Sequence, residues 1–129
     1  MVEVFGKKAT RYGFGEGLVA LGEKSNKIFV LGADTASSVA INMFQEKFPE
    51  RFANVGVAEQ NLIGVAAGLA VAGWVPYAST YSVFASGRPW EQIRNTICYS
   101  NLNVKIGGSH AGVMVGPDGA THQIGRAHV

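Results

Sequence analysis

Cysteine is nearly absent. Cys98 is the single thiol in 129 residues, which excludes a disulfide scaffold. A reducing, cytoplasmic setting is compatible with that count and is the expected location. Charge is sparse too. Eleven Lys and Arg face nine Asp and Glu, a formal net charge of +2, and no basic run stands out. Neither nucleic acid nor a membrane surface is therefore an expected partner. Long apolar runs are also missing. The most apolar stretch, residues 62–75, is rich in Gly and Ala and falls short of the roughly 18–20 residues that span a bilayer. Residues 1–8 do not run from a charged start into an apolar core, so no signal peptide is expected. No Walker loop occurs, and no G-x-G-x-x-G follows a strand. What is present is apolar content, 47% of the chain. With so little net charge, that content excludes disorder. The length suits about one domain, which buries roughly two thirds of its unfolded surface.

The periodicity alternates. Residues 10–21 place Phe14, Leu18 and Leu21 at helical spacing, with Gly22 as a stop. Residues 28–32, Ile-Phe-Val-Leu-Gly, predict a buried strand. A polar loop at 33–38 leads to a helix over 39–48, which Pro49 ends. Residues 52–55 predict a short strand. Residues 58–72 predict a helix with Leu62, Val65 and Leu69 on one side. Its Gly64 and Gly68 lie four apart, a spacing that lets another backbone approach. A strand over 75–79, a helix over 82–99 containing Pro89, and a strand over 104–108 complete the pattern, followed by a Gly-rich loop at 109–119. The predicted class is α/β: a doubly wound, mainly parallel sheet with helices on both faces. Such sheets bind ligands outside the carboxyl ends of their strands. Those ends carry Asp34, the turn at 56–59, Thr80 with Tyr81, and Ser109 with His110.

Few residues there have the chemistry to act. Glu59 opens a helix and has two readings. One is a surface carboxylate favoured by the helix dipole. The other is a carboxylate drawn among Val55, Val57, Leu62 and Ile63, where desolvation favours the protonated form and makes it a candidate acid. Tyr81 and Phe84 sit three apart, either as core or as a stacking wall for a flat heterocycle. His110 and His122 bracket a loop with Gly112, Gly116, Asp118 and Gly119. Its spacing fits no zinc pattern, so a close backbone approach to a ligand is the better reading. Cys98, between Ile97 and Tyr99, is expected to be an inert core thiol.

Four motifs occur in order: Gly56-Val57-Ala58-Glu59-Gln60-Asn61; Thr80-Tyr81-Ser82-Val83-Phe84; Gly87-Arg88-Pro89-Trp90-Glu91-Gln92-Ile93-Arg94; and His110 onward to Asp118-Gly119-Ala120-Thr121-His122-Gln123. Together they resemble transketolase, and within it the pyrimidine-binding domain found in the C-terminal subunit of split transketolases. The resemblance implies thiamine diphosphate as cofactor and transfer of a two-carbon ketol unit between phosphorylated sugars. It implies that Glu59 hydrogen-bonds the ring nitrogen of the aminopyrimidine, favouring the imino form that takes the proton from the thiazolium carbon. Tyr81 and Phe84 would wall the pyrimidine, and Asp34 would stand on the cofactor side of a subunit interface. Arg11, Ser38 and His110 would meet the sugar phosphate or its hydroxyls. Asp118 and His122 would grip hydroxyls near the reacting carbonyl, with His110 and His122 as the candidate proton handlers. No metal ligand is assigned to this chain. The resemblance implies that the diphosphate and its Mg or Ca ion sit on a partner subunit carrying a Gly-Asp-Gly…Asn motif, which these residues lack. The active form would then hold a diphosphate-binding transketolase subunit and a second copy of the complex. Residues 1–123 are expected to form the domain, incomplete at its C-terminus. Residues 124–129 depart from the family pattern and read back to a common sequencing-library adapter, so a non-native tail is expected there. Two other thiamine enzymes share such a domain, deoxyxylulose-phosphate synthase and the β subunit of 2-oxoacid dehydrogenases. A non-catalytic assembly module is the alternative from another class.

Overall fold

The computed structural model describes residues 8–112 and 115–123. The expected tail at 124–129 lies outside the described residues. Four strands, β1 (Ile28–Gly32), β2 (Phe52–Asn54), β3 (Val75–Tyr81) and β4 (Lys105–Ser109), form one sheet in the order β2-β1-β3-β4. All three pairings are parallel. The chain steps from β1 outward to β2, then crosses back to β3 on the other side of β1. A switch in direction therefore falls between β1 and β3, and all four carboxyl ends open on one edge, where ligands of such sheets bind.

Alternation along the strands sorts the core into two layers. Ile28 and Val30 of β1 face α1 (Thr10–Lys24) and α2 (Asn42–Lys47), where Leu18, Val39, Ile41 and Phe44 close the layer. Leu31 and Ala78 face the opposite way, against Leu62, Ile63, Ala66 and Ala67 of α3 (Glu59–Val71). Helices thus cover both faces, as the sequence predicts. Burying each large side chain of these layers is worth about 1.5–3 kcal/mol. One cation is built into the fold. Arg51 donates from Nη1 to the carbonyls of Gly22 (3.2 Å) and Ser25 (2.9 Å) and lies 4.1 Å from the Phe48 ring centroid. It caps the carboxyl end of α1, where carbonyls lack partners and positive charge is favoured.

Four expectations are corrected. The helix expected over 39–48 is α2, Asn42–Lys47, because Ala40 sits at φ 62°, a left-handed conformation that no helix passes through. The helix expected over 82–99 breaks into α4 (Ser82–Gly87), α5 (Trp90–Gln92) and a π-helical turn, Ile93–Cys98. Pro89 has no N–H to continue the ladder. After the break Ile97 turns inward and Cys98 outward, so the expected core thiol is exposed. Strand β3 runs two residues past Ser79, because Thr80 and Tyr81 pair with Gly108 and Ser109 on β4.

Helix α1 lies close on the loop before α2. A β-carbon at Gly15 would stand 2.3 Å from the Ala40 carbonyl oxygen, a backbone atom that cannot rotate away. Gly15→Ala should therefore destabilise the fold by about 1–3 kcal/mol through overpacking, read as a lower denaturation midpoint. An unchanged midpoint would show that α1 does not pack this closely.

Candidate active site

The turn before α3 is set by backbone and side chain together. Gly56 adopts φ 75°, which favours glycine. Asn54 Oδ1 accepts from the backbone N–H of Asp34 (2.8 Å) and of Gly56 (3.1 Å). One side chain therefore ties the loop after β1 to the turn after β2. That turn delivers Glu59 as the first residue of α3, with its carboxylate at the helix N-terminus. Glu59 is 4% exposed, so its carboxylate is buried and not a surface group. Its surroundings are not purely apolar. Val57 is 69% exposed, and Arg88 Nη1 donates to Glu59 Oε1 at 2.7 Å. The sequence does not place that guanidinium there.

Arg88 continues into a column of flat groups. Its guanidinium carbon lies 4.1 Å from the Phe84 ring centroid. Phe84 and Tyr81 stack at 5.9 Å with an 18° tilt, and Tyr81 stacks on His110 at 4.2 Å with a 27° tilt. His122 meets both aromatic rings edge-on, at 5.7 Å from Tyr81 and 5.1 Å from Phe84. These separations suit offset and edge-to-face pairs. The structure thus joins Glu59, Phe84, Tyr81, His110 and His122 into one continuous array, with Arg88 as the link to Glu59.

His110 also borders a cleft of about 560 Å³ shared with Arg11, Phe14, Ser79 and Ser109. Its backbone is at φ 55°, a strained conformation for a residue with a β-carbon, and such strain clusters at functional sites. Its Nδ1 stands 2.8 Å from Ser109 Oγ. Burial lowers its pKa below 6.5, the Arg11 cation lowers it further, Asp118 raises it and His122 lowers it. Ser38 is half-buried one residue before Val39, which lines the cleft; Asp118 is exposed. Asp34 stands apart from the ring column. It is exposed and faces Asn54, whose Nδ2 is 3.5 Å from its carboxylate. Among the described residues, no three His, Cys, Asp or Glu converge as a metal-ligand set.

Arg88, which falls within a motif but had no role assigned, and Asn54 are the site residues that the sequence reading missed. A polar residue ending a strand before a Gly turn is a signal for Asn54. Nothing local signals Arg88, because its partner lies 29 residues away in the chain.

The parallel sheet with its helices matches the pyrimidine-domain fold of thiamine-diphosphate-binding enzymes. A family model described as "Transketolase, pyrimidine binding domain" matches residues 6–127. The chain belongs to that family. A relative from Methanocaldococcus jannaschii, named "Putative transketolase C-terminal section", is 56% identical over 91% of this chain and 37% of its own length. A 1-deoxy-D-xylulose-5-phosphate synthase from Desulfitobacterium hafniense (strain DSM 10664 / DCB-2) is 41% identical over 84% of this chain and 17% of its own. Among solved structures, "Split gene transketolase, inactive beta4 tetramer" superposes with a TM-score of 0.77 at 54% identity, covering 92% of this chain and 38% of that one. The chain therefore spans under two fifths of the length of each of these three relatives.

The His110 environment fixes a pH dependence. The fold favours the neutral imidazole, so its contribution is complete above about pH 6.5 and is lost as pH falls through the lowered folded value. His110→Asn keeps a residue that tolerates positive φ and removes the titration. Between pH 8 and 5 the unfolding midpoint of the wild type should fall more steeply than that of the variant. Parallel curves would contradict the assignment.

Proposed function

We propose that this chain is the pyrimidine-binding part of a transketolase that moves a two-carbon ketol unit between phosphorylated sugars with thiamine diphosphate. The observation that carries this reading is the buried carboxylate of Glu59 beside a stacked aromatic face. The Arg88 guanidinium already shows that one planar group can hydrogen-bond Glu59 and lie on Phe84 together. An aminopyrimidine presents the same pairing of ring nitrogen and flat face, so the residues fit the group. When bound, the cofactor supplies carbanion chemistry at its thiazolium carbon, and the protein tunes and positions it. Glu59 would hold a proton at the ring nitrogen, while Phe84 and Tyr81 fix the ring plane. Asp34, on the loop tied down by Asn54, would face the cofactor from the subunit interface.

The sugar would lie over the His110 cleft. Arg11 offers a fixed positive charge for a phosphate. Ser38, Asp118 and His122 would hold hydroxyls. A neutral His110 can accept or donate a proton at the reacting carbonyl, as its lowered pKa favours at neutral pH.

The diphosphate and its Mg or Ca ion would be held by a partner subunit, and a second copy of the complex would complete the assembly. Supporting this, Gly64 and Gly68 on the exposed side of α3 have nothing within 4 Å of a built β-carbon, a face that another helix can approach closely.

Reconstitution with a diphosphate-binding transketolase subunit tests the reading. Ketol transfer from a ketose phosphate should appear only in the complex. Glu59→Gln should lower kcat by roughly 100-fold or more, the scale of a lost acid–base group. Unchanged turnover in Glu59→Gln would remove Glu59 from the mechanism. Product formation from a 2-oxo acid instead would assign the chain to the deoxyxylulose-phosphate synthase or 2-oxoacid dehydrogenase reading. Assembly without cofactor binding or turnover would assign it to a non-catalytic module.

A further inference from the structure

Arg88 holds both surfaces that a flat ring needs. Its Nη1 occupies Glu59 Oε1 at 2.7 Å, and its guanidinium plane covers Phe84 at 4.1 Å. A ring that bonds Glu59 and stacks on Phe84 competes with Arg88 for that carboxylate and for the Phe84 ring. The guanidinium is itself planar, carries N–H donors and stacks on aromatic rings, so it satisfies both sites while it stays. It is also built to leave. The Arg88 side chain is 49% exposed, whereas that of Glu59 is 3% exposed. The backbone of Arg88 is held separately, because Gln60 Nε2 donates to its carbonyl at 3.3 Å. The side chain can therefore rotate into water without moving the break between α4 and α5. Outside, the guanidinium regains hydration; inside, only a replacement hydrogen-bond partner keeps Glu59 from being buried alone.

We propose that Arg88 is a displaceable latch, holding Glu59 and covering Phe84 until a flat nitrogen heterocycle takes its place. The inference rests on the cofactor reading above, with the aminopyrimidine of thiamine diphosphate as the heterocycle. Opening the latch subtracts from the observed affinity, since only the open form accepts the ring. An ion pair with one exposed partner and one cation–π contact set that penalty at roughly three- to tenfold in affinity.

The test uses the full protein assembled with its diphosphate-binding partner subunit. Thiamine diphosphate is titrated in the presence of Mg²⁺, and tryptophan fluorescence reports both the dissociation constant and the association rate. Arg88→Gln should bind roughly three- to tenfold tighter and associate faster. In a Glu59→Gln background the same replacement should change affinity by less than about twofold, because the pair it relieves is gone. Equal or weaker binding by Arg88→Gln would overturn the latch and make the guanidinium a permanent wall of the site. Should Arg88→Gln prevent assembly, Arg88→Lys keeps the charge without the planar face. Tighter binding by that variant supports the latch, and equal or weaker binding overturns it. Absence of cofactor binding by the assembled wild type would overturn the cofactor reading and the latch with it. Binding without the Arg88 effect would overturn the latch alone.

Discussion

A carboxylate taken out of water must be met by a donor, because an unpaired buried charge is among the costliest features a fold can carry. Glu59 is such a group, and the carboxyl edge is arranged around it. Asn54 pins the loop after β1 and the turn after β2 with one oxygen. Gly56 supplies the left-handed step that starts α3 where the carboxylate can enter the site. Leu62, Ile63, Ala66 and Ala67 bury the next turns of that helix against β1 and β3, so its N-terminus cannot drift. Arg88 then supplies the donor from the far side. Each part is ordinary alone; together they fix one oxygen next to one aromatic face.

The same edge carries much of the backbone strain. Asp34 and His110, in the turns after β1 and β4, both adopt positive φ, at 62° and 55°. Residues with a β-carbon hold such angles at about 1–3 kcal/mol each, and only where the surroundings over-determine them. Two buried layers on a parallel sheet supply that rigidity. The site and the core are thus connected by more than proximity. The strained residues stand just after the ends of β1 and β4.

What the sequence displayed was whatever repeats locally. The run Ile28–Gly32 and the small-residue stretch of α3 announced themselves through composition and spacing, and the alternation of strand and helix was enough to define a parallel sheet. The grouping of Glu59, Tyr81 and His110 followed from their places at strand ends, whereas Phe84 and His122 joined it only through the resemblance to transketolase. Contacts between distant positions were not displayed. The pairing of Glu59 with Arg88 depends on how α4 breaks at Pro89, and a helical wheel drawn through 82–99 hides that break. The same drawing put Cys98 inside, because a continuous winding assigns the wrong face after the π-helical turn. Ala40 hid the start of α2 in the same way, since nothing about an alanine advertises a left-handed conformation.

On the proposed reading, the array divides into parts of unequal rigidity. Glu59, Tyr81 and Phe84 are delivered by α3, β3 and α4, elements with buried faces and parallel register. His122 and Asp118 belong to the segment after β4, where Gly112, Gly116 and Gly119 all take positive φ and few side chains are buried. Ring recognition, which needs sub-ångström placement of a flat group, is therefore assigned to the framework. Contacts to a polyhydroxylated chain, which tolerate adjustment by rotation and bridging water, are assigned to the loop. Tyr81 belongs to both, stacked on Phe84 toward the framework and on His110 toward the loop. A shift of the loop is transmitted to the ring pocket through Tyr81 and through the edge-on contact of His122 with Phe84, and the two halves of the chemistry are mechanically joined there.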